Sequence, residues 1–296
     1  MKYDIIQERL ILLHGKHLMP SQEPETIVNL VIDVHDYSDN SKMGKAEHDR
    51  YIKKIKDSIE ALRDRGIPTI YIAIGDASIA FPGSPNRDPS LPNLLGLSEI
   101  APKPGDDIFL KLFMSGFIDK ADVDKSPVLK AYVIGQRPED GENYAKAEFS
   151  KLTLRGLLER KGATHVTLMG EAAQFCITDN AIDAVRNGLG VTILSDAVAG
   201  WTDETYKAKN WRDGKMTWPE GDPAYHERQI KRTLDEIRAN PAARGLADNN
   251  ETREAINTVA ASICPVAKFL ESLPTPKAAQ PSAGNKPARP AAHKPA

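Results

Sequence analysis

The sequence predicts an α/β fold: a doubly wound, mainly parallel sheet flanked by helices, followed by a C-terminal helical extension. Three observations carry this. Short β-branched runs recur from residue 27 onward, and stretches with apolar residues at helical spacing separate them. Glycines, at 66, at 162 and in the pair Asn187-Gly188, close those helical stretches. Parallel strands read as near-continuous apolar runs because helices cover both faces of the sheet.

In chain order, IVNLVIDV (27–34) is the first strand. Ile52, Ile55, Ile59 and Leu62 then share one helical face, ended at Gly66. TIYIAIG after Pro68 is the second strand, and DIFLKLF after the turn sequence KPGD is the third. Leu152, Leu154, Leu157 and Leu158 mark a helix stopped near Gly162, before the fourth strand, HVTLMG. CITDNAIDAVRNG reads as a helix and VTILSDAV as a fifth strand. Ile230, Leu234 and Ile237 indicate another helix, and Ile256, Val259, Ile263 and Val266 a last one, bent or ended around Pro265. Residues 118–148 and 204–225, the latter containing Trp211 and Trp218, interrupt the rhythm. Such long loops are lids, interfaces or disordered excursions. No internal repeat is evident.

Length and charge bound the rest. The 296 residues accommodate one domain over 1–273, with insertions 118–148 and 204–225 and a helical extension 226–273. The segment 274–296 holds six prolines, four basic residues and no acid, so it is expected to be a solvated, partly polyproline tail. The formal charge is −2, which leaves −6 on the body once the tail's +4 is removed. This balance argues against a nucleic-acid partner. No apolar run reaches the roughly 18 residues a membrane span needs, and a cytoplasmic location is expected. Cys176 and Cys264 are too few for a disulfide scaffold and lack metal spacing. Cys264, on an apolar stretch before Pro265, reads as a buried structural thiol.

Ligands of open α/β sheets bind beyond the carboxyl ends of the strands. Asp33 ends the first strand, Lys111 the third, and Cys176 follows Gly170, which ends the fourth. A lone cysteine is more often a small buried hydrophobe than a nucleophile. Its position at a helix start and the nearby lysine, however, predict a thiol pKa lowered from about 8.5. A neighbouring Asp can accept the thiol proton and return it to a leaving amine. Nucleotide-binding glycine motifs are absent from the sequence.

NLVIDVHD, KLFMSGF and VTLMGEAAQFCITDNAIDAVRNGLGVTILSDAVAG together resemble the three signature blocks of the isochorismatase-like cysteine hydrolases, a superfamily that includes nicotinamidases and N-carbamoylsarcosine amidohydrolase. The resemblance covers roughly residues 27–203. It implies Asp33 as catalytic acid/base, Lys111 as catalytic lysine and Cys176 as nucleophile. It also implies a cis peptide between Glu171 and Ala172, with the backbone N–H groups of Ala172 and Cys176 as oxyanion hole.

The sequence departs from the family pattern at His35, where a Gln is usual, and at Ser38, with Tyr37 one position before the usual aromatic. His35 is read as a packing or hydrogen-bonding substitute or as a substrate contact. Glu171, where the family often carries an apolar residue, either repels anionic leaving groups, binds a cationic substrate or points to solvent. Phe117, Phe175 and Trp201 are candidate pocket walls or core. Asp76 has no histidine partner anywhere between residues 49 and 164, and His14 and His17 lack an acidic partner, so neither a metal nor another cofactor is expected. The implied function is thioester-mediated hydrolysis of a C–N bond in a small-molecule substrate, by a homo-oligomer. The alternatives are vinyl-ether hydrolysis or a catalytically silent scaffold.

Overall fold

The computed structural model describes residues 25–35, 42–74, 99–103, 106–111, 114–117, 153–209, 214–219, 222 and 224–274. The expectations for His14, His17, Tyr37, Ser38, Asp76, Trp211, the insertion 118–148 and the tail beyond residue 274 lie outside the described residues.

Six strands form one sheet in the spatial order β3-β2-β1-β4-β5-β8, and every neighbouring pair is parallel. They are β1 (Ile27–Ile32), β2 (Thr69–Ile74), β3 (Asp107–Lys111), β4 (His165–Gly170), β5 (Gly190–Val198) and β8 (Ile263–Cys264). The predicted doubly wound α/β sheet is therefore present. Between them the chain forms α1 (Lys45–Arg63), α2 (Leu154–Arg160), a π-helical turn (Ala173–Ile177) and α3 (Thr178–Arg186).

Strand alternation explains why helices cover both faces. Val28, Leu30 and Ile32 turn to one face and pack with Leu154, Leu157 and Leu158 of α2 and Ala181 and Ile182 of α3. Val31 turns to the other, against Ile52, Ile55, Ile59 and Leu62 of α1, the stripe read from their spacing. The polar pair Thr167 and Asn29 is buried between strands, where the Thr167 hydroxyl donates to Asn29 Oδ1 at 3.0 Å.

Residues 204–225, where they are described, include most of α4 (Asp203–Ala208) and β7 (Met216–Thr217), which pairs antiparallel with β6 (Gly200–Trp201). Trp218 is fixed there by donating its indole N–H to the Asp196 carbonyl at 3.1 Å. The extension is more than helical. After α5 (Ala224–Ala239), a 3-10 turn (Pro241–Arg244) and α6 (Asn250–Ala261), the last predicted helix breaks before Ile263. Ile263 and Cys264 instead pair with Ile193 and Leu194 as the sixth strand, and Pro265 caps α7 (Val266–Ser272), where its missing N–H costs nothing. Cys264 is thus half-buried on an edge strand rather than within a helical core face.

Candidate active site

The strand order reverses between β1 and β4, and the candidate residues gather beyond the carboxyl ends at that switch point. Asp33 follows β1 immediately, and its N–H donates to the Ile72 carbonyl of β2 at 2.8 Å. Its φ of +47° is a left-handed conformation, costly for most L-residues and best tolerated by Asp and Asn outside glycine. Lys111 ends β3, two strands away, and its long stem brings Nζ to 2.5 Å from Asp33 Oδ2. Both are enclosed, Asp33 at 4% and Lys111 at 1% exposure. Lys111 Nζ also donates to the Met114 carbonyl at 2.9 Å.

Gly170 lets β4 approach this point. At its φ of +115°, a Cβ would stand 2.0 Å from the Ile32 carbonyl oxygen, so no other residue fits. The Glu171 N–H donates to that same carbonyl at 2.8 Å, and the Glu171–Ala172 peptide is cis. The π-helical turn follows, closed from the Ile177 N–H to the Ala172 carbonyl at 3.3 Å, and Cys176 sits in it at 7% exposure.

This placement reverses the expected thiol electrostatics. Burial, reinforced by the Asp33 carboxylate, outweighs Lys111 and pushes the Cys176 thiol up to about 12. Nor does the cysteine open an α-helix, since α3 begins only at Thr178. Burial acts to lower Lys111, but Asp33 and Cys176 overcome it and hold the ammonium above its ordinary range. The resting arrangement is a buried ion pair beside a neutral thiol.

Asn180 joins the parts, and the sequence reading missed it. Fully buried in α3, it donates through Nδ2 to the carbonyls of Met114 (3.0 Å) and Cys176 (2.7 Å). Its Oδ1 accepts the Gly116 N–H at 2.8 Å. The Met114 carbonyl is also the acceptor for Lys111, and Met114 Sδ lies 3.7 Å from Cys176 Sγ. The available signal was a poor helix former one turn after the cysteine, on the buried side.

His35 and Glu171 meet each other. His35 Nδ1 lies 3.2 Å from Glu171 Oε2, with the imidazole 22% and the carboxylate 2% exposed. Glu171 therefore does not point to solvent. Burial alone would lower the His35 pKa, but the hydrogen bond and charge of Glu171, helped by Asp33 and opposed by Lys111, raise it.

Phe117 is buried in the core cluster that also contains Cys176. The Phe175 ring lies under the Arg244 guanidinium, 4.7 Å from its centroid, in the wall of a cavity that Cys176 does not line. Trp201 lies in β6, its backbone N–H and carbonyl both bonded to the Gln174 side chain, with Lys42 over its ring at 5.6 Å. Among the described residues, no group of three or more His, Cys, Asp or Glu is placed to hold a metal ion, and no helix is long and apolar enough to cross a membrane.

Fold and site define a doubly wound α/β protein with a cysteine, a lysine and an aspartate at its topological switch point. The family model described as the isochorismatase domain matches residues 137–217, which bears out the resemblance over that part of the chain. Solved structures similar to the chain include an isochorismatase-like hydrolase from Alkaliphilus metalliredigens (17% identity over 83% of this chain and 98% of that one, TM-score 0.45). An N-carbamoylsarcosine amidase from Thermoplasma acidophilum matches at 21% identity over 62% and 89%, with TM-score 0.40. An isochorismatase from Pseudomonas putida matches at 15% over 83% and 93%, with TM-score 0.43. No curated protein matches.

Proposed function

We propose that the chain is a cysteine-dependent hydrolase of C–N bonds in amide, carbamoyl or ureido groups of a small molecule. The observation that carries this reading is the buried Lys111–Asp33 pair, 2.5 Å apart, acting on the thiol of Cys176. A thiol near 12 does not ionise into solvent at neutral pH. Transfer of its proton to Asp33 keeps the net charge of the trio unchanged, so attack and proton transfer proceed together while Lys111 balances the sulfur.

Cys176 Sγ bonds to the substrate carbonyl carbon as its proton passes to Asp33. The oxyanion is met by the N–H groups of Ala172 and Cys176, each worth about 3 kcal/mol in comparable chemistry. The π-helical turn favours this, because the leading N–H groups of a helical turn lack partners within it. The C–N bond then breaks, Asp33 returns the proton to the departing nitrogen, and a thioester remains. Water adds to the thioester with its proton going to Asp33. The C–S bond breaks, the acid is released and the thiol is restored.

The test is ammonia or amine release from a panel of amides, N-carbamoyl compounds and ureides. Turnover by wild type and its loss in Cys176→Ala and Cys176→Ser support the mechanism. Full turnover in either variant sinks it.

A further inference from the structure

The C-terminal extension reaches back to the turn that carries Cys176. Arg244, in the 3-10 turn after α5, donates through Nη2 to the Gln174 carbonyl at 2.6 Å. Its Nη1 donates to both oxygens of Asp179, at 3.0 and 3.1 Å, and its plane covers the Phe175 ring at 4.7 Å. One guanidinium therefore touches the chain two residues before Cys176, one before it and three after it. The same turn is held on its other flank: the Gln174 side chain binds the Trp201 backbone, and Gln229 of α5 donates to that Trp201 carbonyl at 2.8 Å. Arg244 and Gln229 both lie outside the family-matched segment 137–217.

We propose that Arg244 is a positioning residue for the Cys176 site, fixing the path of residues 174–179 and with it the direction of the sulfur and of the proposed oxyanion donors. The effect on catalysis rests on the hydrolase reading above; the effect on the turn does not. Burial alone does not account for the residue, because a guanidinium at 18% exposure spends one terminal nitrogen on the turn that carries Cys176 and the other on the first turn of α3 that follows it. Lysine cannot replace it: a single ammonium cannot serve a carbonyl and a carboxylate in a planar fork while covering a ring. A misplacement of about 1 Å at a reacting centre costs on the order of a hundredfold in rate. The cavity of about 640 Å³ bordered by Arg244 and Phe175 leaves room for a small cation to re-enter once the side chain is removed.

The experiment compares Arg244→Ala, Arg244→Lys and Asp179→Asn with wild type. Hydrogen exchange is followed by mass spectrometry in peptides covering residues 172–179, Cys176 alkylation is timed with iodoacetamide, and kcat and KM are measured on whichever C–N substrate is turned over. For Arg244→Ala we expect faster exchange confined to this segment, faster alkylation, and kcat down about a hundredfold with KM within about threefold. Millimolar guanidinium should recover at least tenfold of the lost kcat and slow the exchange, without affecting wild type. Arg244→Lys should remain impaired, and Asp179→Asn should fall between. Unchanged exchange and alkylation overturn the proposal. So does a loss that follows the unfolded fraction across the whole chain and is not rescued by guanidinium. If wild type turns over no C–N substrate, the hydrolase reading fails alone, and the exchange and alkylation arms still decide the positioning role.

Discussion

Removing Lys111 should destabilise the fold, and removing Asp33 with it should restore most of the loss. At 2.5 Å the gross attraction between Lys111 Nζ and Asp33 Oδ2 is about 6 to 7 kcal/mol at an effective dielectric of about 20. Taking both ions out of water offsets most of that gain, at several kcal/mol per ion. The pair thus contributes little net, but either member alone is a buried charge without its counter-ion. Lys111→Met should therefore cost about 3 to 5 kcal/mol, and Asp33→Asn a similar amount. The second acceptor of Lys111 adds little to this cost, because the Met114 carbonyl keeps its bond from Asn180 at 3.0 Å. The double variant should lie within about 1.5 kcal/mol of wild type, a coupling of several kcal/mol. Urea unfolding followed by circular dichroism measures all four proteins, with a common m-value as the check on two-state behaviour. In heat the single variants should melt about 6 to 20 °C lower. Single-variant costs below about 1 kcal/mol, or a double-variant cost equal to their sum, would refute the uncompensated-charge reasoning.

Three further outcomes are expected. Asp33→Asn removes the negative charge that adds to burial in holding the Cys176 thiol up to about 12. Alkylation of Cys176 should then speed up about tenfold for each unit the thiol falls, while turnover disappears; in wild type the half-buried Cys264 should label first, and peptide mapping after iodoacetamide decides both points. Asn180→Ala forfeits three hydrogen bonds and should cost about 2 to 4 kcal/mol in urea, an idea that a loss under about 0.5 kcal/mol removes. His226, buried and bonded to Gln229 at 3.0 Å, is pushed down to about 4 by burial. The unfolded chain takes up this proton near pH 6.5 and the folded chain only near 4. The stabilisation is therefore complete above about 6.5 and is lost as pH falls toward about 4, by roughly 3 kcal/mol in all; His226→Gln should flatten that part of the stability profile, and an unaltered slope would assign it to other groups.

The sheet was legible because parallel strands need long apolar runs and their helices need a 3.6-residue stripe, and both patterns are local. Asp33 and Lys111 could be picked out for the same reason, as polar residues that end such runs. What depended on depth was not legible. The sequence places a lysine near Cys176, which argues for an acidic thiol, but only the fold shows that burial and Asp33 outweigh it. Contacts between distant segments were also hidden: His35 and Glu171 stand 136 positions apart, and Arg244 lies 70 positions beyond the carbonyl it binds. Ile263 and Cys264 carry too short a signal to distinguish a strand from the end of a helix, and pairing with Ile193 and Leu194 decides the matter.

Because β1 and β4 are neighbours, the candidate site has a kinetic character as well as a geometric one. Thr167 and Asn29, bonded across these strands, are separated by 138 positions, so every residue between them must be looped out before Asp33 and Cys176 can meet. Loop-closure entropy and the slow formation of non-local parallel pairings make this a late event in folding. Local helices such as α1 can form before it, yet the trio does not exist until the switch point closes. Recovery of a reactive site after denaturation should therefore follow recovery of helical signal, and no separate half of the chain should carry the chemistry.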